Sequence, residues 1–193
     1  MSKQHPWQED ALQLVRTLKS GGVIVSATDT VWGLACDATS PEAVARMAAI
    51  KGRPTEKSFL ALVADEGQME QLLPHLPEAA WELMDESDRP LTIVGQAAAN
   101  HRLAPGMVRA DGSLGVRCVT EPYLQFIIRG LGKPLASTSA NLSGRPTPAR
   151  FSEVSPELLD AVDAVGKWES PGLARPSWMV RFDAAGRFSV LRP

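Results

Sequence analysis

Leu135-Ala136-Ser137-Thr138-Ser139-Ala140-Asn141-Leu142-Ser143-Gly144-Arg145-Pro146 is the stretch on which the fold turns. An apolar run stops abruptly in small hydroxyl residues, one amide, a glycine and a proline. Such residues make few core contacts. They offer hydroxyls, an amide and closely approachable backbone N–H groups in a turn. A buried strand that ends in a loop of this kind is where α/β proteins commonly hold a polar ligand. Two further segments have the same character, one around Thr28 and one around Lys51. Together the three point to an enzyme that uses a nucleotide.

The surrounding sequence alternates between helical and strand patterns. Upstream, Pro122 to Leu131 predicts a helix ending near Gly130 and Gly132, and Leu114 to Val119 predicts a strand. Leu91 to Val94 and Phe59 to Val63 are further strand candidates. Glu66 to Leu73 and Glu78 to Met84 read as helices, separated by Pro74 and Pro77. Ser40-Pro41-Glu42 combines an N-cap, a first-turn proline and an acidic first turn. The helix it opens points Val44, Met47 and Ile50 inward and ends at Lys51-Gly52. Val23 to Val25 is a short β-branched strand that gives way to the polar loop Ser26 to Thr30. Ahead of it, Ala11, Leu12, Leu14, Val15 and Leu18 recur at helical spacing until Gly21-Gly22. Downstream, Pro156 to Ala161 predicts a short helix. Val162 to Val165, Trp178 to Phe182 and Phe188 to Leu191 predict strands, with a hairpin turn at Asp183 to Gly186. Late strands joined by short turns favour an α/β fold with a mixed, twisted sheet over a purely parallel one.

The bulk numbers fit this. The chain has 193 residues, of which 44% are hydrophobic and 22% charged, so it can build a core and is not disordered. Its net charge of −2 argues against a surface that grips nucleic acid everywhere, though not against a local basic groove. The two cysteines, Cys36 and Cys118, lack C-x-x-C spacing and read as buried thiols in a reducing compartment. His5, His75 and His101 are scattered, without metal-ligand spacing. No apolar run reaches membrane-spanning length and the N-terminus has no signal-like core, so the expectation is a cytoplasmic protein.

Each chemistry-bearing segment also has a plain structural reading. Thr28-Asp29-Thr30 fits a helix N-cap. Trp32 alone is more often core than a stacking platform. The cations of Lys51-Gly52-Arg53-Pro54-Thr55-Glu56-Lys57 fit a helix C-terminus as well as a phosphate clamp. Arg117, between Val116 and Cys118, requires a partner or an exit to water, or else holds a substrate carboxylate. No Walker-type loop, G-x-G-x-x-G or G-x-S-x-G motif occurs, and Ser139 has no base evident in sequence. The inventory suits positioning and charge stabilisation rather than covalent catalysis.

Taken together, Ala27 to Leu34, Ile50-Lys51-Gly52-Arg53-Pro54 with Lys57, Ser113 to Arg117, and Ser137 to Gly144 resemble the YrdC-like threonylcarbamoyl-adenylate synthase family in its short, single-domain form. Pro176-Ser177 and Val190-Leu191-Arg192 also fit. The resemblance runs from about Leu12 to the C-terminus and implies one YrdC-like domain over residues 1–193, with 1–6 a flexible extension. It implies an α/β fold whose twisted mixed parallel and antiparallel sheet is flanked by helices and has a large concave face. It also implies a reaction in which L-threonine, bicarbonate and ATP give threonylcarbamoyl-adenylate and pyrophosphate. A separate transferase complex then modifies the adenosine beside the anticodon of certain tRNAs.

By position, the resemblance makes Lys51 and Arg53 catalytic cations. It puts Lys51, Arg53, Lys57, Ser113, Ser139, Asn141, Thr147 and Arg192 at ATP, and Thr30, Arg117, Ser137 and Ser177 at threonine. No metal ligand is assigned, and Mg2+ is expected to arrive with ATP. Ser177-Trp178 departs from the family's usual pair at the threonine pocket, whereas Trp32 keeps an aromatic wall. Two competing readings remain: a module that binds double-stranded RNA, or makes a weak tRNA contact, through a basic concavity; and a carbamoyl-transfer domain like those of hydrogenase maturation proteins.

Overall fold

Strand β6 (Leu135–Ser139) lies inside the sheet, flanked on both sides by antiparallel neighbours. The computed structural model describes residues 5–52, 58–170, 172–182 and 186–193. Among these, β6 pairs with β2 (Gly33–Asp37) and with β3 (Leu60–Val63). Outward from β2 come β1 (Ile24–Ser26) and the short parallel β7 (Ala164–Val165). Outward from β3 come β5 (Ser113–Cys118), parallel to it, and then β4 (Leu91–Gln96). Beyond β4 lie β8 (Trp178–Phe182) and the edge strand β9 (Phe188–Arg192). The sheet is mixed and open, running from β7 at one edge to β9 at the other.

Alternation along the strands divides the apolar side chains between two cores. Leu62, Leu135, Ala35 and Ile24 face α1 (Gln8–Lys19) and α5 (Pro122–Leu131). Ala61, Ala136, Leu34 and Val25 face the opposite layer. That layer holds α2 (Pro41–Lys51), α3 (Glu66–Leu72), α4 (Glu78–Glu86) and α6 (Pro156–Ala161), through Met47, Met69, Ala80 and Leu158.

Local signals set the helix ends. The Ser40 hydroxyl accepts from Ala43 N at 3.2 Å, Pro41 opens α2, and Gly52 closes it in the left-handed region at φ 60°. Glu121 caps α5 by accepting from Leu124 N at 2.8 Å. The fully buried Leu124, Ile127 and Ile128 of α5 each contribute about 1.5–3 kcal/mol by leaving water.

The structure decides three expectations, of which Trp32 as core and Cys36 as a buried thiol hold. Residues 33–37 form a strand, so the Thr28 loop leads into β2 and caps no helix. Trp32 is core: it is buried and packs at 5.0 Å against Phe151. Cys36 is buried but Cys118 is half-buried; both are free thiols, pushed up to about 12 and about 11 mainly by burial. Residues 1–4 of the expected extension lie outside the described residues. Among the described residues, no helix is long and apolar enough to cross a membrane.

The layering also places the cleft. Leu60 and Ser137 are register partners, each two residues from Leu62 or Leu135, so they share the α1/α5 face. Helix α1 packs on β7, β1 and β2, and α5 on β3. Beside them that face opens into a cavity.

Candidate active-site cleft

The cavity has a volume of about 330 Å³ and collects side chains from widely separated segments. Thr28 and Thr30 come from the turn after β1, Lys51 from the end of α2, and Arg117 from β5. The end of β6 and its loop supply Ser137, Ser139, Asn141 and Thr147. Ser177 and Arg192 close it from the C-terminal side. Every described residue in the sequence-based assignment except Ser113 therefore lines one hollow. Arg53 and Lys57 lie outside the described residues.

Arg117 sits on an interior strand with only 5% of its side chain exposed, so it cannot reach water at a sheet edge. Its partner is Asp29, equally buried, with Nη2 at 3.0 Å from Oδ1. The contact is an ion pair without hydrogen-bond alignment. Among the described residues, neither Asp29 oxygen nor Arg117 Nε has a hydrogen-bond partner. Arg117 Nη1 donates instead to Thr30 Oγ1 at 3.1 Å.

Hydroxyl valence then fixes the protons of the turn. Thr28 donates its one proton to Val31 O at 2.7 Å. In the 2.9 Å contact between Thr28 and Thr30, Thr30 must therefore be the donor. With its proton given to Thr28 and one lone pair given to Arg117, Thr30 can offer a ligand only an acceptor.

Lys51 is buried at the last turn of α2. Its ammonium donates to Ser139 O at 2.6 Å, Ser139 Oγ at 3.2 Å and Asn141 Oδ1 at 2.8 Å. Its carbonyl accepts from Ser143 N at 2.9 Å. Asn141 Nδ2 donates to Leu142 O and Arg145 O at 3.1 and 2.6 Å. Lys51 thus brings positive charge and also ties the β6 loop to α2. The two readings of this segment are compatible, since the helix terminus is the site.

On the opposite wall, Arg192 donates through Nε and Nη2 to Ser177 O at 3.1 and 3.0 Å, and through Nη2 to Ser177 Oγ at 3.0 Å. Ser177 Oγ lies 2.7 Å from Thr92 Oγ1. Burial, and then the charge of Arg117, hold the Arg192 guanidinium below its ordinary pKa. Arg109, Arg117, Arg192 and the buried Lys51 ammonium all line this cavity, so an anionic ligand that enters it meets fixed positive charge. Trp178 does not line the cleft; its ring lies 4.8 Å beneath the Arg89 guanidinium.

Three residues that matter here escape a sequence reading. Asp29 completes the Arg117 pair; the only prior signal is that a buried arginine requires a counter-charge. Arg109, in the turn before β5, lines the cavity. Gly172 passes so close to the Thr28–Thr30 turn that an added Cβ would stand 2.5 Å from Thr28 O and 3.2 Å from Thr30 O. Among the described residues, no group of three or more His, Cys, Asp or Glu side chains is arranged to hold a metal.

Fold and cleft together define an open mixed-sheet α/β protein with a cationic, hydroxyl-lined pocket suited to small anionic ligands. The chain belongs to the Sua5/YciO/YrdC family, whose model, described as telomere recombination, matches residues 16–193. It is 36% identical over 165 residues to a threonylcarbamoyl-AMP synthase of Stenotrophomonas maltophilia, covering 84% of this chain and 88% of that one. The fold matches that of Escherichia coli YciO, with a TM-score of 0.79 and 24% identity over 98% of this chain and 91% of that one. It also matches P. abyssi Sua5 complexed with L-threonine, with a TM-score of 0.82 and 23% identity. There the match covers 99% of this chain but spans only 55% of the length of that Sua5.

Proposed function

We propose that this protein is a nucleotidyltransferase that forms threonylcarbamoyl-AMP and pyrophosphate from L-threonine, bicarbonate and ATP. The observation that carries the reading is the meeting, in one cleft, of the Arg117–Thr30 end with the Lys51–Ser139–Asn141 end. Relatives named threonylcarbamoyl-AMP synthase support it.

The threonine carboxylate lies against Arg117, whose planar fork suits a bidentate grip. Thr30 accepts a hydrogen bond from the substrate, and Ser137 and Ser177 bound the same pocket. The threonine amine combines with bicarbonate to give a carbamate and water. A carbamate oxygen then attacks the α-phosphorus of ATP, forming the new O–P bond as the bond to pyrophosphate breaks. Both partners are anions, so fixed positive charge lowers the barrier to their approach. Lys51 supplies that charge at the phosphate side, joined by Arg53 and Lys57. Ser139, Asn141, Thr147 and Arg192 orient the nucleotide, so much of the catalysis is positioning.

Among the described residues no carboxylate cluster is arranged to hold a metal, so a magnesium ion would be brought by ATP itself, on its phosphates. The ion supplies charge neutralisation at those phosphates. The product is a mixed anhydride, and a separate transferase complex carries the threonylcarbamoyl group to tRNA in the cytoplasm. A module for double-stranded RNA would carry its cations on the outer surface, whereas Lys51 and Arg117 here are recessed.

The test is pyrophosphate release from ATP with threonine and bicarbonate each omitted in turn. Release that requires both supports the reading. Release that persists without threonine, or no release at all, overturns it.

A further inference from the structure

Ser113 is buried at the start of β5, behind the cleft wall, and its hydroxyl is fully committed. It donates to Asp111 Oδ1 at 2.6 Å. It accepts from Arg109 Nη1 at 3.2 Å and from Arg181 Nη2 at 3.2 Å. One proton and two lone pairs are all a hydroxyl has, so nothing is left for a ligand. Asp111 is held in turn: Oδ1 also accepts from Ser113 N at 3.0 Å, and Oδ2 lies 3.3 Å from Arg181 Nη2. Of this group, Arg109 is the member that lines the cavity.

We infer that Asp111, Ser113 and Arg181 are positioning residues that set the Arg109 guanidinium in the cleft, where Arg109 binds an anionic group of the nucleotide. The inference deepens the proposed function and rests on it. Direct contact from Ser113, as the resemblance implied, gives way to contact through Arg109.

The geometry carries this in three ways. Among the described residues Arg109 gives one of its five N–H groups, to Ser113, so the rest of the fork is available for a phosphate-type ligand. Asp111 prevents two neighbouring guanidinium groups from repelling each other off a single oxygen. Ser113 and Arg117 are four residues apart on one strand, a separation of about 13 Å. Arg109, held at Ser113, is therefore anchored at the opposite end of β5 from the segment that carries Arg117. Asp111 is a carboxylate throughout the working range, since the N–H and O–H of Ser113, and then Arg181, hold its pKa below the ordinary value.

The test is a double-mutant cycle read by calorimetric binding of α,β-methylene ATP, together with KM for ATP and for threonine in pyrophosphate release. Arg109→Ala, Asp111→Ala and Arg181→Ala are each expected to weaken the nucleotide about tenfold, as loss of one hydrogen bond to a charged group does. KM for threonine should move less than twofold. In the Arg109→Ala background, adding Asp111→Ala or Arg181→Ala should cost nothing further. Asp111→Asn, which keeps an acceptor for Ser113, should recover most of the loss and covers the case in which Asp111→Ala fails to fold.

Additive losses, an equal effect on threonine, or unchanged analogue binding in Arg109→Ala would overturn the inference. Wild-type protein that binds the analogue but releases no pyrophosphate sinks the proposed function and leaves the cycle readable. Wild-type protein that binds no analogue sinks both.

Discussion

Replacing Arg117 by methionine removes the guanidinium and keeps most of its volume. Two effects follow, and they can be separated. The Asp29 carboxylate, with 6% of its side chain exposed, loses its ion-pair partner. Leaving a buried charge uncompensated costs about 3–5 kcal/mol. In a chain of this length each kcal/mol shifts Tm by about 2–4 °C, so the single variant should melt roughly 6–20 °C lower. The second effect is on threonine, which loses a charge-assisted grip worth about 1.5–3 kcal/mol, or about 10–100-fold in KM.

The double variant Asp29→Asn/Arg117→Met isolates the second effect. With no orphaned charge it should regain most of the Tm. Its threonine KM should stay high and its ATP KM should stay near wild type. The assays are thermal denaturation at pH 7 and pyrophosphate release with each substrate varied. The reasoning is refuted if the single variant melts within about 2 °C of wild type. It is refuted equally if the double variant recovers threonine affinity, or if both substrates weaken to the same extent.

Gly172→Ala places a methyl group 2.5 Å from Thr28 O, against backbone that cannot rotate away. It should shift the Thr28–Thr30 turn and raise threonine KM several-fold with little change for ATP; unchanged threonine kinetics would show that the turn does not depend on this contact. Asp37 tests the pH side. Burial opposes its ionisation, but hydrogen bonds from Lys133 and Thr39 and the lysine charge prevail and hold its carboxyl below 3.8. A depressed folded pKa means stability that is present above the unfolded value and lost as pH falls through the folded one. The Tm gap between wild type and Asp37→Asn should therefore be full at pH 6 and shrink as pH drops below about 4, and a gap that widens in acid would contradict this.

The parts of the fold legible in the sequence are those with local causes. Helix α5 begins and ends where Pro122 and Gly132 predict, and α2 begins with the Ser40-Pro41 cap. The strand that starts at Leu135 was visible because an apolar run meets a change in residue type; legible as Leu135 to Ser137, it runs on to Ser139. Strand β2 was not visible. Gly33-Leu34-Ala35-Cys36-Asp37 has no β-branched residue and no polar alternation, because it is buried on both faces and owes its state to β1 and β6.

The site divides along the same line. Lys51, Arg117 and the Ser139–Asn141 loop stood out as polar groups in apolar settings or in turns. Asp29 could be demanded by Arg117 but not chosen, since ion pairing between distant segments leaves no periodicity. Arg109 reads as an ordinary charge in a turn, and only the commitment of the Ser113 hydroxyl shows what it is held for. Gly172 looks like one more loop glycine until the Thr28 carbonyl is seen against it.

The most direct measurement is a crystal structure of the protein with α,β-methylene ATP and L-threonine bound together. The account predicts the threonine carboxylate on Arg117 and the nucleotide in the same cleft, along Lys51, Ser139 and Asn141, with the amine turned toward the α-phosphate. Ligands seated in separate places, or a nucleotide bound away from Lys51 and Asn141, would contradict it.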